Sequence, residues 1–548
     1  MPELCAEDTL KSECMPFTTI PHNSRLFLDF LFQFEKVMEF YGHRPHGQAV
    51  LDHARMFAGA DGNARYPAER RARIADVLER QNRCWGASQA TLDSVEKFRH
   101  GAVACISGQQ VGLFGGPLYS VLKAVSALQM AEELSAQGVP AIPVFWLATE
   151  DHDLAEIASV TLRNGCELEK LTATEQIGSE APVGTLALDL RIAEMVERAT
   201  SLLGEGWVSD ALRESYKVGE SYGSAFARLF TRILTGTGMV LVDPLDDELH
   251  AIAGPLFTAA AERAEELDDA LLERGAALHK AGYHEQVRVT PESTLLFSLE
   301  GNRRTVLHLA GDGFMLGAQR VARSEVLARI VEHPEQFSAN VLMRPVVQDY
   351  LFPTAVYFGG PAEIAYFAQA GVVYEKLLGR TTPVMPRLSA TIISPAMSDL
   401  LERYRLSFRD LFHGSDQVCE LLAGRVLAPG LQEVLRESKE QLTANLERLR
   451  TELGKLDPTL VDAAARSERK MLYQLAKIGG KAARAELRKN QAVSRDAHRV
   501  LTELFPHKEL QERVLPGIYF LAQYGPELIT KLKQAAAPQC PGHQIIRL

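Results

Sequence analysis

The chain has 548 residues, of which 46% are hydrophobic and 24% charged, and its formal net charge is -11. This composition excludes an intrinsically disordered chain, and the acidic balance argues against a general nucleic-acid-binding protein, which needs a basic face to contact phosphates. Two or three domains are expected at this length, each large enough to bury a core.

The distribution of cysteines and of apolar residues indicates the cellular compartment in which the protein is expected. The seven cysteines are scattered along the chain without a CxxC pair, so neither a disulfide framework nor a structural zinc site is indicated. No apolar run approaches the roughly 18 residues of a membrane span. We therefore expect a protein of the reducing cytoplasm that binds no membrane.

The amino-terminal region, about residues 1–95, has a helical pattern. Its Phe-rich stretch RLFLDFLFQFEKVMEFY, residues 25–41, is interrupted by acidic and basic side chains, which favours a partly buried helix over a membrane anchor. We expect this region to pack on the core that follows it.

The central segment, residues 96–393, has the pattern of an α/β domain. GAVACIS predicts a buried strand, PLYSVLKAVSALQMAEEL a helix, and IPVFWLA a second strand. A crossover of this length joins parallel strands. FARLFTRI, GMVLVD and a helix beginning near Asp246 repeat the pattern, which favours a doubly wound α/β core.

Two insertions into this core are expected. The segment 160–213 is irregular and acidic, and we expect it to pack on the core. In the segment 285–316, EQVRV, TLLFSLEG and RRTVLHLA predict short strands and EGNR a hairpin turn, which indicates a small antiparallel subdomain.

The last part of the chain, residues 394–548, is predicted to be helical. Leucines recur at three- and four-residue steps before LDPTL, and a second long helical pattern follows Pro458. Two long helices joined at this point predict an antiparallel coiled-coil hairpin, and a compact bundle packed on the core is the alternative.

The loop SGQQVGLFGGPLY follows the first predicted strand of the core, where ligands bind in open parallel sheets. Its glycines do not have phosphate-loop or dinucleotide spacing, so the loop either turns the chain or brings the backbone close to a ligand. Gln109 and Gln110 favour a binding site. Lys123, two turns into the next helix, is either solvated or faces the pocket. The candidate nucleotide-binding glycines are Gly112, Gly115 and Gly116.

The second predicted strand ends in four polar residues, Glu150, Asp151, His152 and Asp153. They have three interpretations: solvated strand-end residues, a metal site, or a substrate pocket. Adjacent residues rarely supply several ligands to one ion, so no metal is expected. In the favoured substrate pocket, carboxylates bind an ammonium or hydroxyl group and His152 handles a proton.

A third candidate region repeats the pattern of strand, glycines, proline and helix. TAVYFGG predicts a strand that ends at Gly359 and Gly360, and PAEIAYFAQ opens a helix with Glu363 in its first turn. Arg344, a little upstream, binds an anion or forms a surface salt bridge. MPRLSATII contributes Arg387 and Ser389, which together with Gly359 and Gly360 are further candidate nucleotide-binding residues.

Six strings occur in the order found in one known family: SGQQVGLFGGPLYSVLKA, PVFWLATEDHDLAEI, SANVLMRPVVQDYLFPT, GGPAEIAYFAQ, PVMPRLSATI and YFLAQYGPELITKLKQ. In these strings the chain resembles the bacillithiol biosynthesis cysteine-adding enzyme family of cysteine ligases. The resemblance implies a Rossmann-type core related to nucleotidyltransferases and class I aminoacyl-tRNA synthetases, with insertions and a coiled-coil domain that can form a homodimer. Neither the HIGH nor the KMSKS signature of such synthetases is present: GPLY stands at the position of the first, and PRLSAT, which lacks a lysine, is a loose match to the second.

The implied reaction joins L-cysteine to the amine of glucosaminyl malate, and ATP with Mg is the expected activator. The resemblance places the cleft at Gln109, Gln110, Tyr119, the cluster Glu150 to Asp153, Arg344, Gly359, Gly360 and Glu363. Physical reasoning assigns the cysteine ammonium to Asp151 or Asp153, and a malate carboxylate or a phosphate to Arg344. His152 either transfers a proton or binds developing phosphate charge. A nucleotide-binding scaffold acting through its coiled coil and a hydrolase or nucleotidyltransferase acting on a sugar derivative remain as alternatives.

Overall fold

The computed structural model describes residues 11–57, 64–173, 180–300, 303–414, 418, 421–422, 429–457, 459–536 and 540–548. The chain divides into two compact units. The first comprises Met1–Leu162, Glu169–Thr391 and Glu512–Ile546, and the second comprises Arg163–Leu168, Ile392–Gln511 and Arg547–Leu548.

The described strands, in chain order, are β1 (Lys11–Pro16), β2 (Val103–Gln109), β3 (Ala141–Leu147), β4 (Ser159–Asn164), β5 (Glu167–Thr172), β6 (Val240–Val242), β7 (Leu296–Glu300), β8 (Arg303–Ala310), β9 (Gly313–Leu316), β10 (Gln319–Ala322), β11 (Phe337–Ala339), β12 (Thr354–Gly359), β13 (Val384–Pro386), β14 (Ala390–Ile393) and β15 (Gly542–Arg547). The described α-helices are α1 (Arg25–Phe32), α2 (Gly47–Met56), α3 (Ala68–Cys84), α4 (Gln89–Arg99), α5 (Leu118–Ala136), α6 (Leu154–Ile157), α7 (Arg191–Leu203), α8 (Trp207–Ser215), α9 (Tyr222–Ile233), α10 (Asp247–Glu262), α11 (Ala264–Lys280), α12 (Arg323–Glu332), α13 (Arg344–Leu351), α14 (Pro361–Leu378), α15 (Pro395–Arg403), α16 (Pro429–Leu456), α17 (Thr459–Lys489), α18 (Gln491–Leu504), α19 (Gln511–Val514), α20 (Gly517–Tyr524) and α21 (Leu528–Ala535).

The first unit is built around a sheet of parallel strands in the order β13-β12-β2-β3-β6. β2 and β3 are almost entirely buried, as expected for parallel strands that helices cover. α5 packs on β2 and β3, and α3 packs on β6. The predicted strand, helix and strand between residues 101 and 147 are therefore confirmed, as is the α/β class of the core.

An antiparallel sheet in the order β10-β9-β8-β7-β11 lies in the same unit. It confirms the strands predicted from TLLFSLEG and RRTVLHLA, and the EGNR turn falls partly on residues 301–302, outside the described part of the chain. The strand predicted from EQVRV is wrong. The backbone N–H groups of Gln286 and Val287 donate to the side-chain Oε1 of Gln369, at 3.0 and 2.9 Å, and not to a neighbouring strand.

The Phe-rich stretch 25–41 is not one helix, as predicted, but α1 followed by two 3-10 turns. The helix ends at Phe32, and the buried side chains beyond it include Phe34, Val37, Phe40 and Tyr41. The two 3-10 turns, Phe34–Lys36 and Met38–Phe40, therefore keep this stretch in the core without continuing the helix. The segment 160–213, irregular in sequence, contains the β4–β5 pair and the helices α7 and α8.

The second unit contains the predicted antiparallel hairpin, formed by α16 and α17. Arg450 lies 3.7 Å from Glu468, and a Cβ placed on Gly479 would lie 3.7 Å from Leu435. These pairs run in opposite chain directions, which confirms the antiparallel arrangement. No helix among the described residues is long and apolar enough to cross a membrane.

A disulfide joins Cys14 of β1 to Cys540, just before β15, across a sequence separation of 526 residues. β1 and β15 are neighbours in a sheet with the order β1-β15-β14, which brings the two cysteines together. Their spacing in the sequence gave no indication of this bond, because it depends on the pairing of the first and last strands.

Candidate functional site

A cavity of about 400 Å³ opens at the carboxyl ends of the central parallel strands, and we call it the main cavity. Residues that follow β2, β3, β12 and β13 line it. β2 has β3 on one side and β12 on the other, so the chain reverses its winding direction there. Open α/β sheets bind ligands at such a switch point, because the strand-end loops diverge and leave a crevice.

One wall of the main cavity is acidic. Gln110 donates both hydrogens of its side-chain amide to carboxylates, to Asp151 Oδ2 at 2.8 Å and to Glu156 Oε2 at 2.7 Å. Burial raises the pKa of Glu156, and the negative charges of Asp151 and Asp153 raise it further. Two carboxylates held on one nitrogen repel each other, so this wall favours a cationic ligand.

Behind this wall, Glu150 forms a buried pair with His250. The Nε2 atom of His250 lies 3.1 Å from Glu150 Oε1, and both side chains are largely buried. Burial alone would lower the pKa of His250, but the hydrogen bond and charge of Glu150 outweigh it and raise the pKa. His250 therefore keeps a proton more readily than a free histidine, and in that form it neutralises Glu150 and fixes its orientation at the end of β3.

Arg304 brings His152 to the edge of the site. Its guanidinium lines the main cavity, stacks 3.9 Å above the ring of Phe297 and donates to Ala339 O at 2.7 Å. The Nδ1 atom of His152 lies 3.3 Å from Arg304 Nη1, and since an arginine can only donate, Nδ1 accepts this hydrogen bond. His152 is not among the described residues that line the cavity.

A buried ion pair stands on another wall. Lys123 is 3% exposed; its Nζ atom forms a salt bridge with Glu363 and donates to Gly108 O at 2.7 Å and Gln109 Oε1 at 2.8 Å. Glu363 also accepts hydrogen bonds from the Gly360 N–H and the Tyr357 hydroxyl, at 2.8 and 2.5 Å. Burial would raise the pKa of Glu363, but the charge of Lys123 and these donors lower it.

Arg344 lies on the same side of the cavity without a carboxylate partner among the described residues. Its Nη2 donates to the hydroxyls of Tyr366 at 2.5 Å and Tyr357 at 3.3 Å, and its Nη1 to Gln348 Oε1 at 3.4 Å. These neutral partners orient the guanidinium, and the carboxylate whose charge acts on it, Glu363, is already paired with Lys123. Arg344 is therefore ready to bind an anionic group in the cavity.

Arg387 and Ser389 belong to a buried polar cluster centred on Glu512. Glu512 Oε1 accepts from Arg387 Nη2 at 2.7 Å and from the Ser389 hydroxyl at 2.9 Å, while Ser389 also lies 2.7 Å from His543 Nδ1. Arg387 reaches the main cavity and lies 5.3 Å from the centre of the Tyr119 ring, whereas Ser389 does not line the cavity. The exposed Arg513 lines it next to them.

The glycines of the loop after β2 mainly let the backbone turn and do not contact the cavity. Gly115 and Gly116 adopt positive φ angles of 86° and 67°, and the Gly115 N–H donates to the Tyr216 hydroxyl at 3.2 Å. Gly112, Gly115 and Gly116 do not line the cavity, and neither does Gly359, whereas Gly360 does. Asp153 is also outside the lining and caps α6, since its Oδ1 accepts the Glu156 N–H at 3.2 Å.

The main cavity thus brings together nine of the residues selected from sequence: Gln109, Gln110, Tyr119, Glu150, Asp151, Arg344, Gly360, Glu363 and Arg387. Sequence reasoning passed over Glu156, Arg304, Asn340, Tyr357, Tyr366 and Arg513, and left Lys123 undecided. Helix periodicity could have indicated two of these residues. Lys123 lies four residues after Tyr119, and Tyr366 lies three residues after Glu363, so each shares a helix face with a residue that had been selected. Arg304 and Arg513 come from distant elements and gave no local signal.

Comparison with known proteins decides the family. Residues 10–388 match the model described as "Bacillithiol biosynthesis BshC, N-terminal Rossmann-like domain", and residues 390–548 match "Bacillithiol biosynthesis BshC, C-terminal coiled-coil domain". The chain belongs to the BshC family. A relative from Koribacter versatilis, 44% identical over 98% of this chain and 99% of its own length, is named "Putative cysteine ligase BshC".

Two other relatives carry the same name. The Solibacter usitatus protein is 35% identical over 97% of this chain and 99% of its own length, and the Salinibacter ruber protein is 33% identical over 95% and 96%. The matches to both family models confirm the resemblance found in the six sequence strings. They also confirm a Rossmann-like core followed by a coiled-coil domain in this BshC-family chain.

Proposed function

We propose that this BshC-family protein is a ligase that joins the carboxyl group of L-cysteine to the amine of glucosaminyl malate, in the last step of bacillithiol biosynthesis. The observation that carries the proposal is the charge distribution of the main cavity. Asp151 and Glu156, held by one amide nitrogen, favour an ammonium group. Arg344, without a carboxylate partner among the described residues, favours a carboxylate.

Both substrates fit this distribution. L-cysteine carries an ammonium group and a carboxylate, and glucosaminyl malate carries an amine and two carboxylates. In the proposed arrangement the cysteine ammonium binds Asp151 and Glu156, and a malate carboxylate binds Arg344. A cavity of about 400 Å³ is within the range of small-molecule sites, which is roughly 300–1,000 Å³.

The attacking amine must lose a proton as the amide forms. His152 stands at the rim, with its Nδ1 atom held by Arg304. Neutral His152 then carries its proton on Nε2, so this nitrogen would act as a donor toward a leaving phosphate oxygen, and the proton of the attacking amine would pass to water. The Arg304 hydrogen bond would fix the direction in which that nitrogen points.

ATP with Mg is the proposed activator, because a free carboxylate does not react with an amine. When bound, ATP would activate the cysteine carboxyl as an adenylate or an acyl phosphate, and AMP or phosphate would be the group displaced by the amine. Arg513, exposed at the cavity, and Arg344 are the side chains that would hold phosphate oxygens. Arg387 is less suited to this role, since Glu512 already neutralises it.

We also propose that the protein is a homodimer, assembled through the α16–α17 hairpin. Within the second unit the hairpin exposes large apolar side chains, including Val434 at 57%, Leu449 at 51% and Ile478 at 60%. Exposed apolar residues on a heptad-like helix pair favour association with a second copy. Sedimentation equilibrium tests this, and a monomer at micromolar concentration would contradict it.

Reconstitution tests the proposed reaction. Purified protein is incubated with L-cysteine, glucosaminyl malate and Mg-ATP, and bacillithiol and the adenine nucleotides are measured by mass spectrometry. We expect bacillithiol with an equal amount of AMP or ADP. A nucleotide-binding scaffold would give no product, and a hydrolase would consume ATP or the sugar without forming the thiol. Absence of product, with unchanged bacillithiol in a deletion strain, would exclude the ligase.

His152→Ala tests the proton-transfer role. The side chain is partly exposed and its loss leaves no buried charge without a partner, so the variant should fold normally. We expect its turnover to fall by about 100-fold or more, the usual contribution of a general acid or base. His100→Ala, which removes an exposed histidine paired with Glu96, is the matched control. Full activity of His152→Ala would show that the residue has only a structural role.

A further inference from the structure

A second cavity of about 130 Å³ lies in the first unit, beside the main cavity. α11, the segment before β7, and β8 surround it, and most of its lining is apolar: Leu271, Val287, Val289, Leu295, Phe297, Val306 and Leu342. Its volume is close to the roughly 150 Å³ of an engineered cavity that binds benzene. A molecule of six or seven non-hydrogen atoms therefore fits it.

One carboxylate lines the buried part of this cavity. Asp268 of α11 is 4% exposed, and its Oδ1 atom accepts no hydrogen bond from any described residue. Burial raises the pKa of Asp268 to about 6, and the charge of Asp269 contributes to the rise. A buried oxygen without a donor destabilises the folded protein, so a ligand that donates a hydrogen bond would complete this site.

Two basic side chains line the exposed part of the same cavity. Arg288 and His308 are both exposed, and neither has an ion-pair partner within the described residues. The backbone next to Arg288 is held in place, because the Gln369 amide binds both the N–H and the C=O of Val287, at 2.9 and 2.8 Å. The cavity therefore has an acid at its base, positive charge at its mouth, and an apolar wall.

We infer that the second cavity binds a free α-amino acid with a small apolar or thiol side chain. Its ammonium group binds Asp268, its carboxylate binds Arg288 and His308, and its side chain lies on the apolar wall. The site is distinct from the acidic wall of the main cavity, and the two cavities share only Asn340 in their linings. The inference does not depend on the proposed ligase reaction.

Titration calorimetry with L-cysteine and L-alanine tests this site, with propionate and ethylamine as probes that lack one of the two charges. We compare the wild type with Asp268→Asn and Arg288→Gln, and use Glu273→Gln as the matched control, an exposed acid further along α11 that does not line the cavity. Each cavity variant should bind the amino acids at least tenfold more weakly, or lose one binding site, while the control binds as the wild type does.

Three results would overturn the inference: no amino-acid binding by the wild type, isotherms of Arg288→Gln equal to those of the wild type, or equally tight binding of propionate. Arg288 is exposed, so its variant stays informative if Asp268→Asn does not fold. Steady-state kinetics then show whether the amino acid bound in this cavity is the substrate or a separate effector. A raised KM for L-cysteine in Arg288→Gln means that the site holds the substrate, and an unchanged KM with lost binding means a separate effector.

Discussion

Replacing Arg344 by Gln should lower the activity strongly while leaving the stability of the protein almost unchanged. Among the described residues, the Arg344 guanidinium donates hydrogen bonds to the hydroxyls of Tyr357 and Tyr366 and to the amide of Gln348. Since no described carboxylate pairs with Arg344, its removal leaves no buried charge without a partner. Gln can bond to the same hydroxyls, so we expect the free energy of unfolding to change by no more than about 1 kcal/mol.

The effect on activity should be much larger. A hydrogen bond between charged groups contributes about 1.5–3 kcal/mol, and its loss corresponds to about a 10- to 150-fold decrease in kcat/KM. Arg344→Lys keeps the charge but loses the two-pronged geometry of the guanidinium, so its activity should lie between those of the wild type and Arg344→Gln. The decrease should come from a higher KM for glucosaminyl malate, whose carboxylate is the proposed partner.

Steady-state kinetics with each substrate varied in turn, together with urea unfolding, measure both effects. Arg320→Gln is the matched control, because Arg320 is an exposed arginine paired with Asp312 and does not line the main cavity. If Arg344→Gln keeps kcat/KM within twofold of the wild type, Arg344 does not bind substrate. If the KM for L-cysteine rises instead, the guanidinium binds the other carboxylate.

Three further changes test the contributions of two buried ion pairs and of the disulfide to stability. Lys123→Met should destabilise the protein by about 3–5 kcal/mol in urea unfolding, because it leaves Glu363 buried without its partner, and adding Glu363→Gln should restore much of the loss. The raised pKa of His250 means that its ion pair stabilises the protein fully below about pH 6.5 and less as the pH rises. The Tm advantage of the wild type over His250→Gln should therefore shrink above that pH, and a constant difference would contradict the assignment. Reduction of the Cys14–Cys540 bond should cost about 2–5 kcal/mol, so a reductant should lower the Tm of the wild type and not that of Cys14→Ser.

The core could be predicted from the sequence because its elements depend on local periodicity. The run from residue 101 to 147 alternates between an apolar strand, a glycine loop and an amphipathic helix, and each change of period marks an element boundary. The rule that ligands bind at the carboxyl ends of parallel strands then selected Gln110, Asp151 and Glu363 before any contact was known. The structure places all three on one cavity.

Other parts of the site depend on contacts between distant segments. Arg304 belongs to the antiparallel sheet and reaches the end of β3 only through the packing of that sheet. The chain order gave no reason to place it beside His152. The same limit applies to the disulfide, because pairing of the first and last strands sets the distance between its cysteines.

The charges around the main cavity fall into two classes with different roles. Lys123 with Glu363, and Arg387 with Glu512, satisfy each other inside the protein, so their mutual attraction offsets the cost of burial and fixes the walls. Such pairs have little remaining affinity for a ligand, although the sequence analysis counted Glu363 and Arg387 among the candidate binding residues. Arg344, by contrast, is hydrogen-bonded to neutral groups among the described residues and keeps its charge for the ligand. Substitutions in the paired class should therefore act mainly on stability, and substitutions in the unpaired class mainly on kcat/KM.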